Sequence, residues 1–263
     1  MAKISGLGSN LYVAQYDLSG DIGAVSSMEA RRGTFDVTSI ASSAPERIVG
    51  LRDGSMSYLA FWNTVAGQAH LVESALARTD QIISVFLGNT VGAAGASMVS
   101  KQLGYSPSRG ADGSLTATIN ASANANGLEF SGGLGDGILT TGKQTVASGN
   151  PSNGTSIDYG SVSSLFGASG YLHVFSVGSG TPTVAIQDSA DNGTFANITG
   201  LAFTASPAAT SEFKETATNA TIRRYVRAQI TGVYTNLVFA VNFVRYLETI
   251  ASYVAVAIEN ARL

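Results

Sequence analysis

A chain of 263 residues with 44% hydrophobic side chains is long enough to bury a full core and too apolar to stay disordered. Its 15 basic and 18 acidic residues leave a formal charge of −3, the wrong sign for a dedicated nucleic-acid binder, and the lack of cysteine excludes disulfides, thiolate metal sites and cysteine nucleophiles. Only 13% of residues are charged and 30 are glycine, the composition of a β-rich protein whose surface is covered by partners.

The first eight residues hold no apolar core of signal-peptide length, so the chain is expected in the cytoplasm when made. Residues 55–62 follow an Asp53-Gly54 turn signal and read as a strand that is apolar on both faces from Tyr58 onward. Such a strand needs cover from its own core and from something else. Leu71, Val72, Ala75 and Leu76 recur at helical spacing and predict a helix over 68–78, with Glu73 and Arg78 on its other faces. Residues 81–87 form the next strand candidate. From Leu115 to Ala123 apolar residues alternate with Thr116, Thr118, Asn120 and Ser122. The glycine-rich run 132–137 has no helix pattern after it to offer an anion, so it reads as a loop.

Turn formers cluster at 148–155 and predict a linker over 150–155, dividing a domain at 1–149 from another at 156–245. Asp188 to Gly193 reads as a hairpin turn between Val184/Ile186 and Phe195. A calcium loop would need an acid at its third position and a glutamate where Thr199 stands. Val226, Ala228 and Ile230 alternate with polar residues, as do Leu237, Phe239, Val241 and Phe243, giving a second β-sandwich. Residues 246–263 fit either a helix or a strand. Asn242, Arg245 and Glu248 interrupt the most apolar region before it can span a bilayer.

Catalytic chemistry has no foothold in the pattern. His70 and His173 fall in different halves and read as ordinary packing or surface residues, and Gly167-Ala168-Ser169-Gly170 lacks the spacing of a nucleophile elbow. Arg223, Arg224 and Arg227 read as a surface paired with Glu212 and Glu215. No enzyme activity, cofactor or metal is expected. Tyr159, Tyr171 and Tyr234 keep open a receptor- or carbohydrate-binding β-sandwich surface protein.

The runs LYVAQYDLSGD (11–21), ERIVGLRDGS (46–55) and KQLGYSPSRGADGSL (101–115) together resemble the major tail (tail tube) proteins of long non-contractile-tailed, siphovirus-like bacteriophages, particularly of actinobacterial hosts. The resemblance runs over about 5–147, and QDSADNGTF (187–195) looks like a β-sandwich decoration attached to such proteins. It implies a mainly β fold: a tail-tube β-sandwich or barrel with one flanking helix, plus the C-terminal sandwich. It implies hexameric rings of the chain stacked into a tube in the virion tail, through which DNA passes without specific binding. Tape-measure, tail-terminator and distal-tail proteins would be partners, and no membrane is involved. By the same resemblance residues 36–49 are a loop, carrying Thr38, Ser39, Ile40, Pro45, Glu46 and Arg47, that contacts an adjacent ring or subunit. This loop is expected to be mobile in the free subunit and ordered in the tube. The strand with Tyr58, Phe61 and Trp62 would gain its second cover from a neighbouring subunit. Truncation near Gly149 is expected to leave tube formation intact.

Overall fold

Side chains alternating in and out with period two build nearly every element of the chain. The computed structural model describes residues 8–75, 79–124, 126–131, 143–160 and 163–246. The chain is mainly β, with antiparallel sheets and one short helix, as its alternation predicts. The first half holds β1 (Asn10–Val13), β2 (Tyr16–Asp17), β3 (Ile22–Asp36), β4 (Arg47–Phe61), α1 (Ala69–Glu73), β5 (Gln81–Phe86), β6 (Gly95–Arg109), β7 (Leu115–Ala123) and β8 (Glu129–Ser131). Its sheet runs β2-β1-β5-β6-β7-β4-β3, with β8 added alongside β6. Leu11, Val13, Met56, Tyr58, Val85, Met98 and Ile119 meet in one core enclosed by this sheet.

The helix is shorter than its predicted span, and its apolar phase is inverted. It covers Ala69–Glu73, while 76–78 lie outside the described residues. Leu71 is exposed and Glu73 is buried. Tyr58 explains the inversion: its hydroxyl lies in the core and donates to Glu73 Oε1 at 2.6 Å, so each polar group satisfies the other. The helix N-terminus is held from a distance, where the Ala69 amide donates to Asp21 Oδ2 at 2.9 Å.

The second half holds β9 (Gln144–Val146), β10 (Ser152–Asn153), β11 (Ile157–Asp158), β12 (Ala168–Ser176), β13 (Ser179–Gly180), β14 (Thr183–Ser189), β15 (Ala196–Ala202), β16 (Thr210–Glu215), β17 (Tyr225–Thr231), β18 (Tyr234–Thr235) and β19 (Leu237–Arg245). One sheet is ordered β10-β17-β14-β15 with β11 beside β17; the other is β16-β12-β19-β9. Leu172, Ile186, Leu201, Val226, Phe239 and Phe243 lie in the core of this sandwich. β9, upstream of the predicted linker, pairs with β19, and β10, inside it, pairs with β17. The predicted hairpin turn joins β14 and β15, with Asn192 at φ 59° and Asp191 Oδ1 accepting from the Gly193 and Thr194 amides. These bonds draw the Asp191 carboxyl down to about 2.

The arginines pair differently from the expectation. Arg223 grips buried Asp188, Arg224 binds Asp158 through two nitrogens at 2.6 and 2.7 Å, and Arg227 lies over the Phe195 ring. Glu212 instead meets Lys214 and Thr204, and Glu215 accepts from Asn126. The strand register decides this: Asp188 lies opposite Val226 in the ladder, which brings the start of β17 past its carboxylate. The glycine run 132–137 and the tail 247–263 lie outside the described residues.

The two halves are not joined by a tether alone. β12 and β19 pack against β1 and β5 through two apolar clusters, Tyr12/Phe86/Ala240 and Ile82/Tyr171/Val244/Tyr246, with Val99 of β6 at the edge of the second. Between the halves runs a line of buried polar groups. His173 Nδ1 lies 2.6 Å from the Ala14 carbonyl, which can only accept, so Nδ1 carries the proton. Nε2 therefore accepts from the Ser84 hydroxyl at 2.8 Å. Ser84 accepts from Ser97 at 2.6 Å, and Ser97 accepts from Asn242 Nδ2 at 2.7 Å. Ser131 closes the line by donating to Asn242 Oδ1 at 2.8 Å. Every donor points the same way along it.

Gly54 marks a tight crossing. A Cβ there would overlap the backbone nitrogen of Leu128 and lie 2.6 Å from its Cβ. Gly54→Ala is expected to cost roughly 2 kcal/mol or more, measured by thermal or urea unfolding, because backbone is the obstacle and cannot rotate aside.

Candidate assembly surface

β3 and β4 pair from Ile22↔Ala60 to Asp36↔Arg47, but β4 meets β7 only over Ser55–Phe61. Beyond Ser55 the two strands leave the sheet as a ribbon with no further strand beside it among the described residues. The predicted loop is mostly the tip: β3 reaches Asp36 and β4 restarts at Arg47, leaving 37–46 as the connection and only the ends of the predicted span in the strands. Among the predicted contact residues, Thr38, Ser39, Ile40, Pro45 and Glu46 are on this exposed tip, and Arg47 begins β4.

The tip is closed by its own hydrogen bonds. The Thr38 amide and hydroxyl donate to Asp36 Oδ1 at 2.9 and 2.5 Å, and the Glu46 amide donates to Thr38 Oγ1 at 2.9 Å. Ser42 donates to Glu46 Oε1 at 3.1 Å. The Thr38 bonds hold the Asp36 carboxyl below its ordinary value.

The ribbon carries apolar side chains on both faces. Cross-strand register puts Thr34 with Val49 and Phe35 with Ile48. Val49 and Leu51 share one face, and Phe35 and Ile48 share the other. Leu51 is 88% exposed and Phe35 63% exposed, and Ile40 and Val37 are exposed at the tip. Soluble monomers rarely gather exposed hydrophobics in this way.

At the root of the ribbon the sheet has an open face. Ser57, Thr118, Asn120 and Ser106 point outward from β4, β7 and β6, opposite to buried Tyr58, Ile119 and Ala121. Charges on this face sit at one end and pair locally: Arg31 with Asp53 at 3.5 Å and Lys101 with Asp80 at 2.9 Å.

The three residues predicted for a subunit interface separate. Tyr58 is wholly inside the chain's own core and offers nothing to a neighbour, because it occupies the inward phase of β4. Trp62 stacks on His70 with ring centroids 3.8 Å apart, and His70 Nδ1 meets the Tyr105 hydroxyl at 2.6 Å. Phe61 is half exposed.

Sequence reasoning missed Glu129. The order Leu128-Glu129-Phe130-Ser131 invites a reading with Phe130 inside, whereas Glu129 is buried and Phe130 is half exposed. Glu129 Oε1 accepts from Arg52 Nη2 at 3.0 Å and the Tyr246 hydroxyl at 2.8 Å. Oε2 accepts from Ser169 at 2.5 Å and Tyr171 at 2.6 Å. The phenols of Tyr171 and Tyr246 are raised by burial and by the Glu129 charge. No local signal predicted this cluster, since its donors come from three separate stretches of chain.

No family model matches the chain, and no curated protein matches it. Among solved structures, a chain of the PVC sheath-tube complex, an extracellular contractile injection system in its extended state, aligns at 11% identity and TM-score 0.38, covering 50% of this chain and 93% of its own. The cap that terminates the tube of the anti-feeding prophage aligns at 12% and 0.40, covering 51% and 93%. The SPP1 Dit protein, a hub of the adsorption apparatus in phages infecting Gram-positive hosts, aligns at 10% and 0.33, covering 90% and 99%. Likenesses of this size carry no argument about function.

Proposed function

We propose that the chain is a structural, non-enzymatic subunit of a bacteriophage tail that assembles with copies of itself into hexameric rings, stacked as a tail tube. The observation that supports this best is the β3–β4 ribbon, apolar on both faces and exposed well beyond the sheet that carries it. A ribbon of this kind contacts a surface elsewhere on the next copy, which is a heterologous contact that propagates. The hydroxyl-bearing face of β4, β7 and β6 then lines the lumen. Ser, Thr and Asn there present no cationic row, so DNA phosphates meet no counterion-releasing drag along the wall. In this reading the second half stands outside the tube, the protein resides in the virion tail after synthesis in the host cytoplasm, and its partners are tape-measure, terminator and distal-tail proteins.

Negative-stain electron microscopy with solution mass measurement tests the reading. Six copies of 27.0 kDa give rings of 162 kDa, or hollow tubes built from them. A chain that stays a 27.0 kDa monomer at high concentration overturns self-assembly and brings forward a receptor- or carbohydrate-binding role. The double variant Phe35→Ser/Leu51→Ser is expected to abolish rings and tubes, while its unfolding free energy stays within about 0.5 kcal/mol of wild type. Loss of assembly together with a large loss of stability would remove the ribbon from the argument.

A further inference from the structure

We infer that the Arg52–Glu129 pair is the tie that fixes the direction of the β3–β4 ribbon relative to the second half, so that residues 144–246 act on assembly by aiming the ribbon. The inference rests on the reading of the ribbon as the assembly element.

The last β4–β7 pair is Ser55↔Ser122, so the sheet holds the ribbon only up to that point. Arg52 is the next residue whose side chain points to the inner face, in phase with Gly54 and Met56. Its guanidinium reaches Glu129, and it also lies over the Tyr246 ring at 5.6 Å. Glu129 is itself immobilised by Ser169 and Tyr171 of β12 and by Tyr246 after β19. The crossing beneath is close-packed, since Gly54 meets Leu128 and a Cβ on Gly127 would lie 3.0 Å from the Asp53 carbonyl. Farther out the packing opens among the described residues. A cleft of about 430 Å³ opens between Ala30, Arg31 and Arg32 on the ribbon and Phe130 and Val244 opposite. A two-stranded ribbon twists and bends readily, and a charge-assisted tie at its root governs where its far end points. Arg52 and Glu129 are positioning residues here and make no contact with a neighbour in this account.

The chain has no cysteine, so two label sites can be introduced cleanly. Spin labels at Thr34→Cys on the β3 strand of the ribbon and Thr194→Cys on the β14–β15 turn report the ribbon's direction by pulsed dipolar spectroscopy. The measurement uses the full chain diluted in an excess of unlabelled chain of the same variant. Wild type is expected to give a narrow distance distribution. Arg52→Gln, Glu129→Gln and the double variant are each expected to broaden it roughly twofold, the double no more than either single, because residues of one pair are not additive. Ser169→Ala removes a Glu129 donor without touching the ribbon; it is expected to lower the melting temperature and keep the narrow distribution. An unchanged width in the folded double variant overturns the inference, as does equal broadening by Ser169→Ala. None of these readouts requires assembly. If the widths respond as expected while wild type forms no rings, the tie stands and the assembly reading fails.

Discussion

The Glu73→Gln variant is expected to lose stability steeply as pH falls from 7 to 4.5, whereas the wild type stays nearly level between 4.5 and 6.5. Two buried groups with opposite linkage produce this. Burial pushes the Glu73 carboxyl up to about 7 from an ordinary 4.5, against the lowering effect of the Tyr58 hydrogen bond. The folded state therefore holds a proton that the unfolded state releases, so this group's contribution is full below 4.5 and is lost as pH rises through 7. Burial pushes His173 down to about 4 from 6.5, against the raising effect of the Ala14 carbonyl. Its contribution is full above 6.5 and is lost as pH falls through 4. Each amounts to roughly 3 kcal/mol over its window, and between 4.5 and 6.5 the slopes nearly cancel. Glutamine removes the Glu73 titration and uncovers the histidine. Tyr58 and Tyr105 near Glu73 are phenols raised by burial and by the Glu73 charge, and Gln102, which donates to the Glu73 carbonyl, is uncharged, so none of them titrates in this range. Urea unfolding at half-unit pH steps checks the result; a level profile in Glu73→Gln would show that His173 is not held neutral by the fold.

A chain cut after residue 149 is expected to lose its cooperative unfolding transition and to bind hydrophobic dyes. Composition alone places a boundary there and predicts an autonomous first half. The inter-half contact argues the opposite. Removing the second half uncovers Tyr12, Ile82 and Phe86 and takes away three of the four donors to Glu129. Apolar side chains returned to water cost roughly 1.5–3 kcal/mol each, and a buried carboxylate left short of donors adds more. The sum reaches the 5–15 kcal/mol that a whole domain has in hand. Calorimetry and dye fluorescence decide the matter. A truncated chain that melts cooperatively near the full-length temperature would support the division at 149.

Much of the β architecture was legible because alternation survives in the sequence wherever one strand face is wet. β7 and β17 show it plainly, and the Asp191-Asn192-Gly193 turn announces its hairpin. The junction between the halves was not legible. Asn242, Ser84, Ser97 and Glu129 are polar and carry no apolar signal, yet each, like His173, is buried against a partner far away in sequence. The ribbon was half legible: its small polar tip stood out as a connection, but nothing in the pattern marked Phe35, Val49 and Leu51 as apolar side chains left exposed. Tyr58 failed in the other direction. A strand apolar on both faces signals cover from two sides without saying which side chain faces home.

The one-way line of hydrogen bonds also sets a timetable during synthesis. Chains emerge N-terminus first, and early segments fold as they appear. Ser97 must wait for Asn242, 145 residues later, and Glu129 for Tyr246, 117 residues later. Until β19 leaves the ribosome the first half presents an unfinished face and an unanchored ribbon. If the ribbon is the assembly element proposed above, a chain becomes competent to join its copies only after β19 has emerged, which keeps shorter nascent chains out of the growing structure.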